Sequence, residues 1–191
     1  MPEKNLDEIS EQIKKCTKCI LHKTRENPVS GDGYKNADIL FIGEAPGRNE
    51  DIQGKPFVGR AGKILDKLLD GINLKREQIF IGNILKCRPP KNRNPLKSEI
   101  ESCSHFLDKQ IDLINPKIIV TLGSFSTNYI FERYEIPSDK ISKVHGKQFK
   151  TKENRIVVPV YHPAAAAYDP NKIFDLEKDF QTIKKSLKDL D

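Results

Sequence analysis

Four short runs of apolar residues, each closed by glycine or by a turn, limit what this chain can fold into. They occupy residues 37–44, 78–85, 116–123 and 155–163 and read ADILFIGE, QIFIGNIL, PKIIVTLG and RIVVPVYHP. Each run is rich in β-branched or aromatic residues and nearly continuous in hydrophobicity, which is typical of strands covered on both faces of a parallel sheet. The pattern predicts a central, mainly parallel, four-stranded sheet.

Segments with helical character alternate with these runs, at residues 61–72, 95–114, 124–134 and 170–190. The first places four aliphatic residues on one helical face, and the second begins with a proline. Alternating strands and helices predict a three-layer α/β/α fold, in which ligands bind at the carboxyl ends of the strands. The chain has 191 residues, which suits one hydrophobic core. We therefore predict a single domain over residues 1–191.

Composition and the first residues narrow the class of protein. No apolar run approaches the ~18 residues that a membrane span needs, so no membrane association is expected. The opening stretch, MPEKNLDEISEQIKK, lacks the apolar core of a secretion signal. We therefore expect a cytoplasmic protein with reduced thiols. The formal net charge of +6 is compatible with a polyanionic partner such as nucleic acid.

Four cysteines form a C-x2-C pair, followed at a distance by a C-x15-C pair: Cys16, Cys19, Cys87 and Cys103. The third follows the second predicted strand and the fourth lies on the next helix, so a fold that brings the N-terminal segment to that edge would assemble four thiolates. Zinc and an iron–sulfur cluster are both possible. The wide second spacing slightly favours iron–sulfur. Free core cysteines are the alternative, although the first pair lies in a polar stretch.

The segments that follow the strands carry the most specific motifs. They read GEAPGRNEDIQGKPFVGRAGKILDKLL from residue 43, GNILKCRPPKNRNP from residue 82 and VYHPAAAAYDP from residue 160, and none is a known phosphate-binding loop. Together with the four cysteines, and in matching order from Cys16 to Pro170, they resemble family 4 of the uracil-DNA glycosylase superfamily, the iron–sulfur-containing enzymes. The resemblance implies a monomeric base-excision-repair enzyme that hydrolyses the N-glycosidic bond of uracil in single- or double-stranded DNA. It also implies that the four cysteines hold a [4Fe–4S] cluster.

Residues of these motifs match the uracil-binding positions of that family: Phe57, Asn83 and His162, together with Glu44 and Ala45. Phe57 would stack on the extruded base, and Asn83 would pair with uracil through N3–H and O4, whereas cytosine presents the reverse pattern. His162 would donate to uracil O2 as negative charge collects on the departing base. The alternatives are a core phenylalanine, a turn asparagine and a structural histidine.

Two departures from the superfamily pattern affect the predicted mechanism and the contact with the duplex. The best-known relatives carry a water-positioning aspartate where this chain has Ala45, so we expect the Ala45 backbone to hold the water together with Glu44, Glu50 or Asn92. Residues 164–167 are all alanine where relatives often have a bulkier aliphatic residue. Tyr168 is then the nearest large side chain to fill the gap in the duplex.

Basic residues around the third cysteine predict phosphate contacts, principally Arg88, Lys91 and Arg93, with Lys97, Lys55, Arg60 and Lys143 as further candidates. A solvated basic surface is the alternative. The functional alternatives are a non-catalytic DNA-binding module stapled by iron–sulfur or zinc, a redox iron–sulfur protein, and the related crosslinking subfamily. That subfamily has GEQPG and an inserted basic loop, whereas this chain has GEAPG and no such insert.

Overall fold

The computed structural model describes residues 2–189, with side-chain burial from Leu6 onward. The strands are β1 Asp32–Gly33, β2 Ile39–Gly43, β3 Phe80–Asn83, β4 Ile118–Leu122, β5 Phe149–Lys150 and β6 Ile156–Val160. The eight α-helices of this described part are α1 Pro2–Lys14, α2 Arg48–Gln53, α3 Arg60–Gly71, α4 Lys97–Ile114, α5 Ser124–Arg133, α6 Ile141–Val144, α7 Ala165–Tyr168 and α8 Lys172–Lys188.

The six strands form one mixed sheet in the order β1-β3-β2-β4-β6-β5. The four predicted strands are its parallel centre, and β1 and β5 add antiparallel edges. The prediction of an α/β fold with a mainly parallel sheet is confirmed, but the count of four strands is wrong. Each edge strand has only two residues, too few to show a hydrophobic pattern. In β1, a Cβ on Gly33 would lie 2.0 Å from the Ile79 carbonyl oxygen, so close backbone approach replaces side-chain packing there.

Helices cover both faces of the sheet. Along β2, Ile39 and Phe41 belong to a buried cluster with residues of α3 and α8, whereas Leu40 and Ile42 belong to a second cluster with residues of α4 and α5. Successive residues of a strand point to opposite faces, so both clusters need apolar residues from the same strand. This explains why the strand sequences are continuously apolar.

The long predicted helices lie within two residues of α3, α4, α5 and α8, and position 190 of the last prediction lies outside the described residues. None of the described helices has the length and apolar character needed to cross a membrane. Because β2, β3 and β6 are parallel within the sheet centre, their carboxyl ends share one edge. Gly43 at the end of β2 is in register with Asn83 at the end of β3. Tyr161 and His162 follow β6 at the same edge.

Candidate active site and thiol cluster

A cleft of about 360 Å³ opens at the carboxyl edge of the sheet. Its walls come from the three motif-bearing segments: Glu44, Ala45, Pro46, Gly47, Glu50, Phe57, Ala61, Asn83, Pro89, Asn92, Arg93, His162 and Ala164. The structure thus brings together every residue predicted from sequence to read uracil or to hold the water. The cleft is large enough for one pyrimidine base.

Asn83 is 2% exposed, and its side-chain Oδ1 is buried without a hydrogen-bond partner. A Cβ added to Gly43 would lie 2.3 Å from this oxygen and 2.8 Å from the Phe57 ring, so the glycine makes room for both groups. A buried unpaired acceptor costs about 1–3 kcal/mol. Within a cleft, such an atom is suited to accept a hydrogen bond from a ligand.

Phe57 is held in an uncommon backbone conformation with φ of 52°. The loop around it is fixed by Glu50 of α2, whose Oε1 accepts hydrogen bonds from Val58 N at 2.9 Å and from Gly59 N at 2.7 Å. A side chain at Gly62 would collide with the Phe57 carbonyl oxygen. Non-glycine residues at positive φ persist where the surroundings hold them and are frequent at functional sites. The backbone that carries the phenyl ring is therefore held in place by the protein itself.

His162 faces Phe57 across the cleft, with ring centroids 5.8 Å apart and planes 30° apart. Ala164 N donates to His162 Nδ1 at 3.1 Å, so Nδ1 is the acceptor and the proton of the neutral ring lies on Nε2. Burial lowers the pKa of His162 to about 4, although the Glu50 carboxylate partly opposes this shift. Near neutral pH the ring is therefore an uncharged donor.

The residues that could hold the attacking water differ in how many hydrogen bonds their side chains already make within the protein. Glu44 is half-buried and burial raises its pKa. One Glu50 oxygen is engaged by the Phe57 loop, as described above. Asn92 lies at the exposed rim, where its Oδ1 accepts from Arg88 Nε at 2.7 Å. Ala45 lines the cleft with its backbone and methyl group. Of the three side chains, Glu44 is the least committed to other partners.

A second, smaller cavity is lined by all four cysteines. Cys87 and Cys103 are buried, and Cys16 and Cys19 pack against them. Arg25 Nη1 donates to Cys87 Sγ at 3.1 Å, and Lys86 N donates to Cys103 Sγ at 3.3 Å. Among the described residues, no group of three or more His, Cys, Asp or Glu side chains is arranged so that it could hold a metal ion.

The two buried thiols are weak acids here. Burial raises the pKa of Cys87, and it raises the pKa of Cys103 to about 11. Both remain protonated near neutral pH unless a metal replaces their protons. Hydrogen bonds to sulfur and nearby cationic groups are the protein features that tune an iron–sulfur cluster. The donor set is therefore chemically suited to such a cluster.

The predicted DNA-contacting residues fall into two groups. Lys91 and Tyr168 are exposed, Tyr168 to 88% at the end of α7. Arg93 instead forms a two-point ion pair with the buried Glu99, with N–O distances of 2.9 and 2.6 Å. That guanidinium is therefore already engaged, and Arg88 is hydrogen-bonded to Asn92.

Comparison with known proteins agrees with this geometry. The model of the uracil DNA glycosylase superfamily matches residues 30–191. A type-4 uracil-DNA glycosylase of Sulfurisphaera tokodaii is 52% identical over 185 residues, which are 95% of this chain and 84% of that protein. The chain belongs to the type-4 uracil-DNA glycosylase family. A type-4 uracil-DNA glycosylase of Archaeoglobus fulgidus is 45% identical over 94% of this chain and 92% of that protein. One of Thermotoga maritima is 39% identical over 96% of this chain and 97% of that protein.

The cleft also contains five residues for which the sequence predicted no role in base recognition or in holding the water: Pro46, Gly47, Ala61, Pro89 and Ala164. They supply apolar walls and backbone, and their only signal was their position inside the motifs GEAPG, GKPFVGRAG, RPP and HPAA. Arg25, the donor to Cys87, was also missed. It lies in a polar stretch with no pattern of its own.

Proposed function

We propose that this protein removes uracil from DNA by hydrolysing the N-glycosidic bond, as an enzyme of base excision repair. The observation that carries the proposal is the buried, unpaired Oδ1 of Asn83, which lies in a base-sized cleft beside the Phe57 ring. The relatives described above, which are type-4 uracil-DNA glycosylases, support the same activity. The substrate is uracil-containing DNA, single- or double-stranded.

The cleft reads the base by its face and its edge. Phe57 stacks on the extruded uracil, and its fixed loop means that little ordering is needed on binding. Asn83 accepts from uracil N3–H through Oδ1 and donates its amide to O4. Cytosine lacks the N3 proton and carries a donor in place of O4, so each contact is lost or repulsive. These complementary contacts make the site selective for uracil.

His162 stabilises the departing base. Its Nε2–H faces the cleft as a neutral donor, and negative charge develops on uracil O2 as the glycosidic bond breaks. A donor already oriented toward developing charge lowers the transition-state energy because it requires no reorganisation. Because the ring is uncharged, it does so without attracting the phosphates of undamaged DNA.

The attacking water is held by the Ala45 backbone and the Glu44 carboxylate. Glu44 is half-buried beside the base, and its raised pKa reflects a carboxylate in a poorly solvated place, where it accepts a proton more readily. Glu50 and Asn92 contribute less, because each already has hydrogen-bond partners in the protein. Glu50 acts mainly by holding the Phe57 loop.

Cys16, Cys19, Cys87 and Cys103 hold a [4Fe–4S] cluster. When bound, the cluster supplies a rigid link between the N-terminal segment, the loop after β3 and α4, and hydrolysis of the glycosidic bond needs no electron transfer. Arg25 and the Lys86 backbone contribute hydrogen bonds to two of the sulfurs. Iron and sulfide analysis of anaerobically purified protein distinguishes this cluster from zinc.

Lys91 and Arg88 contact DNA phosphates beside the cleft, and Tyr168 enters the gap left by the extruded nucleotide. Arg93 contributes indirectly, because its pairing with Glu99 holds the loop that carries Lys91. We further propose that residues 1–191 act as one domain, as a monomer inside the cell.

Incubation with oligonucleotides that contain one uracil, thymine or hypoxanthine, followed by alkaline cleavage at abasic sites, tests the activity. We expect strand cleavage only with uracil. A protein that binds these oligonucleotides but releases no base would instead be the DNA-binding module considered above.

A further inference from the structure

Lys86 is the one lysine among the fully buried side chains of the described residues, with an exposed fraction of 1%. Its ammonium donates to the Asn83 carbonyl oxygen at 2.8 Å and to Gln110 Oε1 at 2.7 Å. Both acceptors are neutral amide oxygens. Burying an ammonium without a carboxylate partner costs several kcal/mol. An apolar side chain would avoid this cost but would leave both buried oxygens without a donor, so the lysine is kept for the groups that it holds.

The Asn83 carbonyl lies beyond the point where β1 pairs with β3, so the sheet offers it no donor. β1 pairs with β3 only at Phe80 and Ile81, so its ladder ends before Asn83. Ile84 N, at the other end of the same peptide group, donates to the Gly43 carbonyl oxygen at 3.1 Å, so only the carbonyl end needs a partner from outside the sheet. The Lys86 ammonium thus takes the place of a strand neighbour for the residue that reads the base.

The far side of Lys86 is also fixed. Gln110 of α4 is 2% exposed, and its Nε2 donates to the Ser30 carbonyl oxygen at 2.7 Å. That bond orients the amide, so Oε1 faces Lys86. The Lys86 carbonyl accepts from Val29 N at 2.7 Å. The ammonium therefore links the end of β3 to α4, and Gln110 and the Lys86 carbonyl extend this link to residues 29 and 30.

We infer that Lys86 is a positioning residue for uracil recognition, which holds the peptide group of Asn83 so that the side-chain amide keeps its orientation toward the base. The inference rests on the proposed function. The Asn83 side chain leaves the backbone next to the carbonyl that Lys86 holds. A rotation of that peptide group moves Oδ1 away from uracil N3–H, while the cleft walls remain in place.

A double-mutant cycle tests the inference with Lys86→Met, Asn83→Ala and the double variant, each with its iron content measured. The readout is the single-turnover rate on a single-stranded uracil oligonucleotide. If Lys86 acts through Asn83, Lys86→Met slows excision by about tenfold or more when Asn83 is present. When residue 83 is already alanine, Lys86→Met changes the rate by no more than about twofold. Equal fold losses in both backgrounds, or no loss in either, would overturn the inference.

Arg25→Met is the matched control. It removes a cationic donor from the cluster ligand Cys87, as Lys86→Met removes charge near Cys103, but Arg25 donates to no atom of Asn83. Arg25→Met should slow excision by the same factor whether residue 83 is asparagine or alanine. Should Lys86→Met not fold, Gln110→Met enters the same cycle, because it removes one of the two acceptors that fix the ammonium. Equal fold losses from Gln110→Met in both backgrounds would again overturn the inference.

A crystal structure of Lys86→Met gives a readout without activity. We expect the Asn83 amide to be rotated or to occupy two conformations, with Phe57 and His162 unchanged. An Asn83 amide in its original place overturns the positioning role. Absence of uracil release by the wild-type protein would instead overturn the proposed function, and the crystal structure would still decide the role of Lys86.

Discussion

Replacement of His162 by alanine tests the chemistry of the cleft. The Ala164 N–H fixes the tautomer that carries its proton on Nε2, and the low pKa keeps the ring neutral. The substitution therefore removes one oriented neutral donor and leaves the charge of the surface unchanged. Loss of such a donor costs about 10²–10³ in rate, or roughly 3–4 kcal/mol. Because the donor acts on charge that develops only in the transition state, affinity for uracil-free DNA should stay nearly unchanged.

The assay uses excess enzyme over a labelled single-uracil oligonucleotide, with alkaline cleavage at each time point, so that product release does not limit the rate. His145→Ala is the control, because that histidine pairs with Asp179 at 2.9 Å and does not line the cleft. It should keep the wild-type rate. A His162→Ala protein that excises uracil as fast as wild type would show that the anion is stabilised elsewhere. Aspartate at position 45 should restore part of the lost turnover if it reaches the water site.

Four other predictions concern base reading, metal, DNA geometry and pH. Asn83→Asp should slow uracil excision by about tenfold or more and release cytosine measurably, because a carboxylate accepts from cytosine N4; wild-type uracil activity would exclude Asn83 as the reader. Cys87→Ser should lower iron and sulfide content and reduce the melting temperature by roughly 5–10 °C; zinc instead of iron in the wild-type protein would contradict the cluster. Tyr168→Ala should slow excision more from double-stranded than from single-stranded DNA, and equal losses would argue against a wedge. The pKa of His162 is lowered from 6.5 to about 4 on folding, so the unfolded chain binds this proton more readily and stability falls as pH drops from 6.5 to 4, by at most about 1.4 kcal/mol per pH unit. Urea titrations should show a smaller pH slope for His162→Gln, and an unchanged slope would contradict the shift.

The sequence predicted the sheet centre because strands buried on both faces leave an unmistakable apolar run, as in residues 39–43. It also placed Phe57, Asn83 and His162 in one cleft, since parallel strands end at a common edge. It missed β1 and β5, whose two residues are held by backbone contacts.

Contacts between distant side chains also left no pattern in the sequence. The ion pair between Arg93 and Glu99 on the following helix was not predicted, and the phosphate contact of Arg93 stays a prediction. Lys86 looks like an ordinary surface lysine in the stretch LKCRPP. Its burial depends on where the Asn83 carbonyl and Gln110 lie in the folded chain, which local periodicity does not reveal.

The position of the cysteines along the chain has a consequence for polymer topology. Once Cys19 and Cys87 share one bound group, the chain between them becomes a closed loop that contains Glu44, Phe57 and Asn83. Closing a loop of this length removes about 4 kcal/mol of conformational freedom from the unfolded chain. His162 lies outside the loop, but the entropy is lost by the unfolded chain, so loss of the bound group should lower the free energy of unfolding of the whole fold, including the segment that carries His162.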